Sequence, residues 1–182
     1  MGKNMVVITG SPRMKGNTNA LADAFIKAVC DRVECKVVRF EATNMSLSGC
    51  RACHACFTGD KACPSDDSFN RIASHIEAAD AVVMAMPVYW FSIPAQIKCV
   101  VDKLYAFTNA HHDVSGKQFA LLACCADSDM SVFDGVRGPM KRTADLLGWE
   151  YVGEVLVPGV WEAGDILKTG YVAQVEELAS RF

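Results

Sequence analysis

The chain lacks the marks of several broad classes. No apolar run approaches the ~20 residues that span a bilayer. The opening Met1-Gly2-Lys3-Asn4-Met5-Val6 leads straight into a strand-like segment without a signal-peptide layout. Val6 stands where a myristoylation signal wants Ser or Thr. Cationic excess is missing too: 18 Lys and Arg against 21 Asp and Glu give a net charge of -3. A nucleic-acid backbone therefore finds no electrostatic footprint here. No internal repeat, linker or low-complexity stretch divides the 182 residues. These absences argue against membrane and nucleic-acid partners. They leave a soluble cytoplasmic protein of one domain, residues 1–182, as the expectation.

What is present is apolar and thiol-rich. Hydrophobic residues make up 51% and charged residues 21%, enough for a sizeable core. The nine cysteines are an odd number, and in a reducing compartment such usage points to metal or redox chemistry ahead of disulfides.

The pattern alternates strand and helix. Met5 to Thr9 is a continuous apolar, β-branched run, as expected of a strand buried on both faces. Asn17 to Val29 carries Leu21, Ala24, Phe25 and Ala28 at helical spacing, with Asn17 or Thr18 as N-cap. Cys35 to Phe40 reads as a second strand, Asp66 to Ala78 as a helix and Asp80 to Met86 as a third strand ended by Pro87. Pro94 suits the first turn of a helix running to about Phe107. Phe119 to Cys125, Phe133 to Leu147, Tyr151 to Val157 and Lys168 to Arg181 supply strand, helix, strand and helix. Five strands separated by helices predict a parallel sheet with helices on both faces. Ligands of such sheets sit beyond the carboxyl ends of the strands.

Beyond the first strand lies Gly10-Ser11-Pro12-Arg13-Met14-Lys15-Gly16-Asn17-Thr18-Asn19, then a helix. A helix N-terminus offers free amide groups and the positive end of its dipole to a phosphate. Ser11, Asn17 and Thr18 can add side-chain donors, and Arg13 or Lys15 can add charge. A Walker A loop is excluded, because five residues separate Gly10 from Gly16 and Asn17 follows. A dinucleotide fingerprint is excluded by Pro12, which stands at its second glycine. An ordinary strand-to-helix turn is the competing reading.

The third strand ends in Pro87-Val88-Tyr89-Trp90-Phe91-Ser92-Ile93-Pro94-Ala95. Three aromatic residues hemmed by prolines can face a flat ring with apolar surface and offer amides to its polar edge. They can equally pack under a helix or at a subunit contact.

Taken with Asp102-Lys103 further on, these two motifs resemble the NAD(P)H-dependent FMN reductase and iron–sulfur flavoprotein family of the flavodoxin-like superfamily, over residues 4 to 157 or so. The resemblance implies a three-layer sandwich with strand order 2-1-3-4-5. It also implies flavin mononucleotide (FMN) at the switch point and assembly into homodimers or homotetramers. Ser11, Arg13, Gly16, Asn17, Thr18 and Asn19 would hold the phosphate, and Pro87, Val88, Tyr89, Trp90 and Phe91 the ring. Cys124-Cys125-Ala126 stands where the family brings a third loop. Cys124 reads as a small buried residue at the strand end.

The cysteine-rich segment is Gly49-Cys50-Arg-Ala-Cys53-His54-Ala-Cys56, then Cys63-Pro64, with spacing C-x2-C-x2-C-x6-C. Bacterial ferredoxins use a related run and put proline after their last cysteine. Zinc usually takes two separated C-x2-C pairs. Relatives of the kind this chain resembles carry a [4Fe–4S] cluster on such a motif, while others keep part of it and bind none. A cluster on Cys50, Cys53, Cys56 and Cys63, another metal and a bare loop all stay open.

The expected activity is transfer of electrons from NADH or NADPH through FMN to a small-molecule or protein acceptor. A single-electron carrier using the cluster is the alternative. The cofactor carries that chemistry, so no catalytic acid or base is assigned. His54, His75, His111 and His112 show no triad-like context and are expected to be solvated.

Overall fold

The computed structural model describes residues 2–182, the side chain of Asp67 excepted. Five parallel strands, β1 (Lys3–Thr9), β2 (Cys35–Glu41), β3 (Ala81–Pro87), β4 (Gln118–Cys124) and β5 (Glu150–Val157), form one sheet in the order β2-β1-β3-β4-β5. The central strands pair in simple register, Val6 with Val38 on one side and Val82 on the other. The order reverses between β1 and β3, so a crevice opens there beyond their carboxyl ends.

Helices cover both faces. α1 (Asn17–Cys30) and α6 (Tyr171–Ala179) pack Leu21, Phe25, Val29, Val175 and Leu178 against Met5, Val7, Val83 and Leu122. On the other face lie α2 (Asp67–Glu77), α3 (Ala95–Lys103), α4 (Tyr105–Asn109) and α5 (Asp134–Leu146). Phe69, Ile72, Ile97, Phe107, Val136 and Met140 meet Val6, Ile8, Met84 and Leu121 there. β3 and β4 are buried on both faces, which is why their sequences read as unbroken apolar runs.

Five expectations are corrected. The N-cap of α1 is Gly16, with extended φ/ψ of -81°/168° and no side-chain cap, because the Asn17 and Thr18 side chains are engaged elsewhere. Pro94 is the N-cap of α3 and not part of its first turn, and the helix expected to reach Phe107 divides at Leu104 into α3 and α4. The closing helix is shorter than Lys168–Arg181. Lys168 ends a 3-10 turn (Asp165–Lys168), and extended Thr169, whose Oγ1 donates to Ile166 O at 2.7 Å, separates it from α6. Cys30 and Cys35 form a disulfide across the short α1–β2 turn, their Cα atoms 5.4 Å apart, while the other seven cysteines are free.

Candidate functional site

One cleft lies at the carboxyl ends of the strands, enclosing about 670 Å3 of space, part of it open to solvent. Its walls are the loops after β1, β3, β4 and β5: Ser11, Arg13, Gly16, Asn17 and Thr18; Pro87, Val88 and Tyr89; Cys124, Cys125 and Ala126; Val160, Trp161 and Ala163.

The β1 loop is shaped by its own short contacts. Arg13 N–H donates to Ser11 Oγ at 3.3 Å, and Gly16 N–H to Arg13 O at 2.8 Å. A Cβ on Gly16 would stand 2.9 Å from the Cβ of Arg13, so only glycine fits this turn unstrained. Asn19 does not line the cleft. Buried beneath the loop, its Nδ2 donates to Arg13 O at 2.9 Å and Met14 O at 3.2 Å, and its Oδ1 accepts from Arg39 Nη2 at 2.8 Å. α1 therefore points an uncapped first turn, free of acidic residues, into the cleft. Those unpartnered amides suit an anion, and the fit to a monoester phosphate is good.

The β3 loop supplies the apolar wall. Tyr89 and Ser92 exchange backbone hydrogen bonds of 3.1 and 3.0 Å, closing a two-residue hairpin with Trp90 and Phe91 at its tip. Both tip residues have positive φ, 47° and 59°, as a type I′ turn requires. They are 92% and 63% exposed and lie outside the cleft walls. Eight of the eleven residues expected around the flavin thus share the cleft; Asn19 supports it, and Trp90 and Phe91 stand beside it.

The β4 loop contributes two buried thiols. Burial pushes the Cys124 thiol up to about 11 despite its 3.0 Å contact with Thr18 Oγ1, and burial raises Cys125 as well. Both stay protonated at neutral pH and behave as small apolar lining. The β5 segment, Val160 to Ala163, was missed by the sequence reading. Its signal was an aromatic residue in a Pro-Gly loop at a strand's carboxyl end, as in the β3 segment.

A second pocket gathers Cys50, Cys53, Cys56 and Cys63 with His54, Lys103 and Tyr105 on the α2–α4 face of the sheet. The loop winds tightly, with left-handed backbone at Ala52, His54 and Phe57. Cys63 is fixed by Asn70, whose Oδ1 accepts from Cys63 N–H at 2.7 Å and whose Nδ2 donates to Cys63 O at 2.8 Å. Burial raises the Cys56 thiol, and the charges of Cys50, Cys53 and Cys63 add to it, so the four sulfurs lie within electrostatic reach of one another. Among the described residues no three His, Cys, Asp or Glu side chains converge tightly enough for a single metal ion. The four thiols thus frame a shared pocket without forming a one-ion site.

The histidines are exposed, as expected, but three have partners. His54 Nδ1 meets Tyr105 Oη at 3.2 Å and Asn109 Oδ1 at 3.3 Å. His75 Nδ1 meets Arg71 O at 2.8 Å. His112 stacks on Phe57 at 4.3 Å and pairs with Glu77 at 2.7 Å. None lines the cleft. No helix is long and apolar enough to cross a membrane among the described residues.

Strand order, crevice and an uncapped helix facing an apolar wall define a flavodoxin-like nucleotide-binding domain. Residues 4–132 match the family model of the NADPH-dependent FMN reductases, and the chain belongs to that family. An iron-sulfur flavoprotein of Methanosarcina thermophila is 31% identical over 154 residues, covering 84% of this chain and 75% of that protein. One from Archaeoglobus fulgidus is 28% identical over 102 residues, 56% of this chain and 46% of that protein. The match thus spans less than half of that relative. An FMN-dependent NADH-azoreductase of Bacillus anthracis, solved in complex with FMN, superposes with a TM-score of 0.73 at 15% identity, covering 98% of each chain. At that identity the likeness is one of fold.

Proposed function

We propose that this protein is an FMN-dependent NAD(P)H oxidoreductase of the flavin or quinone reductase type. The observation that carries the reading is the single cleft in which an uncapped, acid-free helix N-terminus faces the Pro87-Val88-Tyr89 wall. Bound FMN would supply hydride acceptance and release of electrons one or two at a time. The chain's own part is binding and orientation. Ser11, Arg13 and the first amides of α1 hold the phosphate. Pro87, Val88 and Tyr89 flank the ring, and the protonated Cys124 and Cys125 help exclude water behind it. The donor is a reduced nicotinamide nucleotide and the acceptor a quinone, free flavin or other oxidant.

A second reading is an electron carrier in which Cys50, Cys53, Cys56 and Cys63 hold a [4Fe–4S] cluster. Their shared pocket favours it, as do the relatives named iron-sulfur flavoproteins. A cytoplasmic setting suits the seven free thiols. Self-association into a homodimer or homotetramer suits the exposed Trp90 and Phe91 beside the cleft.

The visible spectrum of protein purified without air tests both readings. Two resolved flavin bands are expected. A broad brown shoulder that bleaches with reductant would make the carrier the leading function. Colourless protein that takes up no added FMN would sink the oxidoreductase reading.

A further inference from the structure

The family match ends at residue 132, yet the segment following β5 returns to the phosphate loop. Arg13 Nη1 donates to Trp161 O at 3.2 Å, and its guanidinium carbon lies 4.9 Å from the centre of the Trp161 indole. That distance is inside the ~6 Å range of a cation–π contact. Trp161 is itself held in place. Its N–H and that of Glu162 donate to Asp165 Oδ2 at 3.1 and 2.7 Å. Asn17 ties the same segment down, its Nδ2 donating to Glu162 O at 2.9 Å and its Oδ1 accepting from Ile166 N–H at 3.2 Å.

Arg13 keeps its charge free for a ligand. The arginine–carboxylate pairs among the described residues belong to Arg39, Arg137 and Arg181. An arginine on a loop otherwise has large rotamer freedom to lose on binding, and a planar stack removes much of that loss beforehand. Trp161 is 60% exposed, so little of its apolar surface is used in the core. Its place is explained better by what it holds than by what it buries.

We infer that Trp161 is a positioning residue: it holds the Arg13 guanidinium at the mouth of the cleft and thereby sets a preference for the phosphorylated flavin, FMN, over riboflavin. The inference rests on the FMN reading above. Trp161 lies beyond the stretch that matches the family, so this clamp is a feature of the chain's carboxyl-terminal third.

The test is titration of the full chain, freed of flavin, with FMN and with riboflavin, following the quenching of flavin fluorescence. Trp161→Leu removes the aromatic face and keeps apolar bulk. It is expected to weaken FMN binding about fivefold more than riboflavin binding, the worth of one exposed cation–π contact. Trp161→Phe keeps a ring and should restore most of the FMN affinity. Arg13→Met with Trp161→Leu should show the same FMN-to-riboflavin affinity ratio as Arg13→Met alone, because the two residues set that preference through one contact. Equal weakening toward both flavins, or toward neither, would overturn the inference while leaving the FMN reading standing. Wild-type protein that binds neither flavin would overturn the FMN reading itself and this inference with it.

Discussion

At the scale of single residues the cleft depends on close approach. Gly135, in the first turn of α5, is the clearest case: a Cβ there would lie 2.0 Å from the carbonyl oxygen of Phe91. That carbonyl belongs to the hairpin carrying Tyr89 into the cleft wall, and backbone cannot swing aside as a side chain can. Gly135→Ala should therefore displace the hairpin and destabilise the protein by about 1–3 kcal/mol. For a chain of this size that lowers the melting temperature by roughly 2–10 °C. Gly138 lies one turn further along the same helix, its would-be Cβ clear of residues distant in the chain, but Pro139 follows it directly. Gly138→Ala should gain at most roughly 0.5–1 kcal/mol of helix propensity, less what the Pro139 ring costs a preceding Cβ. Thermal denaturation followed by circular dichroism separates the two. A Gly135→Ala protein as stable as wild type would mean that the hairpin does not rest on α5.

At the scale of elements, one buried ion pair joins three segments. Lys103 at the end of α3 lies 3.3 Å from Asp66, with side chains 3% and 1% exposed. It also donates to Ser48 Oγ and Gly49 O, each at 3.2 Å. Asp66 in turn caps α2 through Phe69 N–H and accepts from Ser48 N–H, both at 2.9 Å. Ser48 and Asp66 flank the cysteine loop, so this pair closes it at both ends. Lys103→Met leaves a buried carboxylate without its cation and should cost about 3–5 kcal/mol, part of which Asp66→Asn in the same chain should restore. Burial pushes the Asp66 carboxyl up, but the hydrogen bonds from Ser48, Phe69 and Lys103 outweigh it and hold the group below its ordinary value. A depressed carboxylate stabilises the fold above the unfolded value of about 3.9 and gives that up as pH falls through its lower folded value. Denaturant unfolding at successively lower pH should show a loss of stability that Asp66→Asn lacks. The sequence made such elements legible where one physical rule dominates. β3 and β4 are apolar throughout because both faces are covered, and Gly10 to Asn19 marks a strand-to-helix turn. It hid what depends on contacts distant in the chain. The break at Leu104 and the exposure of Trp90 and Phe91 are tertiary outcomes. So is the return of Trp161 to Arg13 across 148 positions, which no local pattern announces.

At the scale of the whole molecule the cleft and the thiol pocket lie apart. The cleft crosses the carboxyl ends of β1, β3, β4 and β5, whereas the thiol pocket leans on α3 and α4 at one face, and no residue lines both. α3 lies between them, capped by Pro94 just beyond the cleft hairpin and ending at Lys103 in the thiol pocket. Its nine residues rise about 13 Å. Perturbations at sites so separated, with no shared partners, usually add independently. FMN at a hundredfold excess over its dissociation constant should stabilise the folded chain by about 2.7 kcal/mol, a rise in melting temperature of roughly 5–10 °C. A chain with Cys50, Cys53, Cys56 and Cys63 all changed to Ser should melt lower, because Cys56 and Cys63 pack against the core. Its FMN-induced rise should nevertheless equal that of the wild type. The comparison uses the increment and not the absolute temperature, so a general weakening cannot imitate the result. An increment that vanishes with the thiols would show that the cysteine loop shapes the flavin cleft through α3, and the two sites would then form one redox unit.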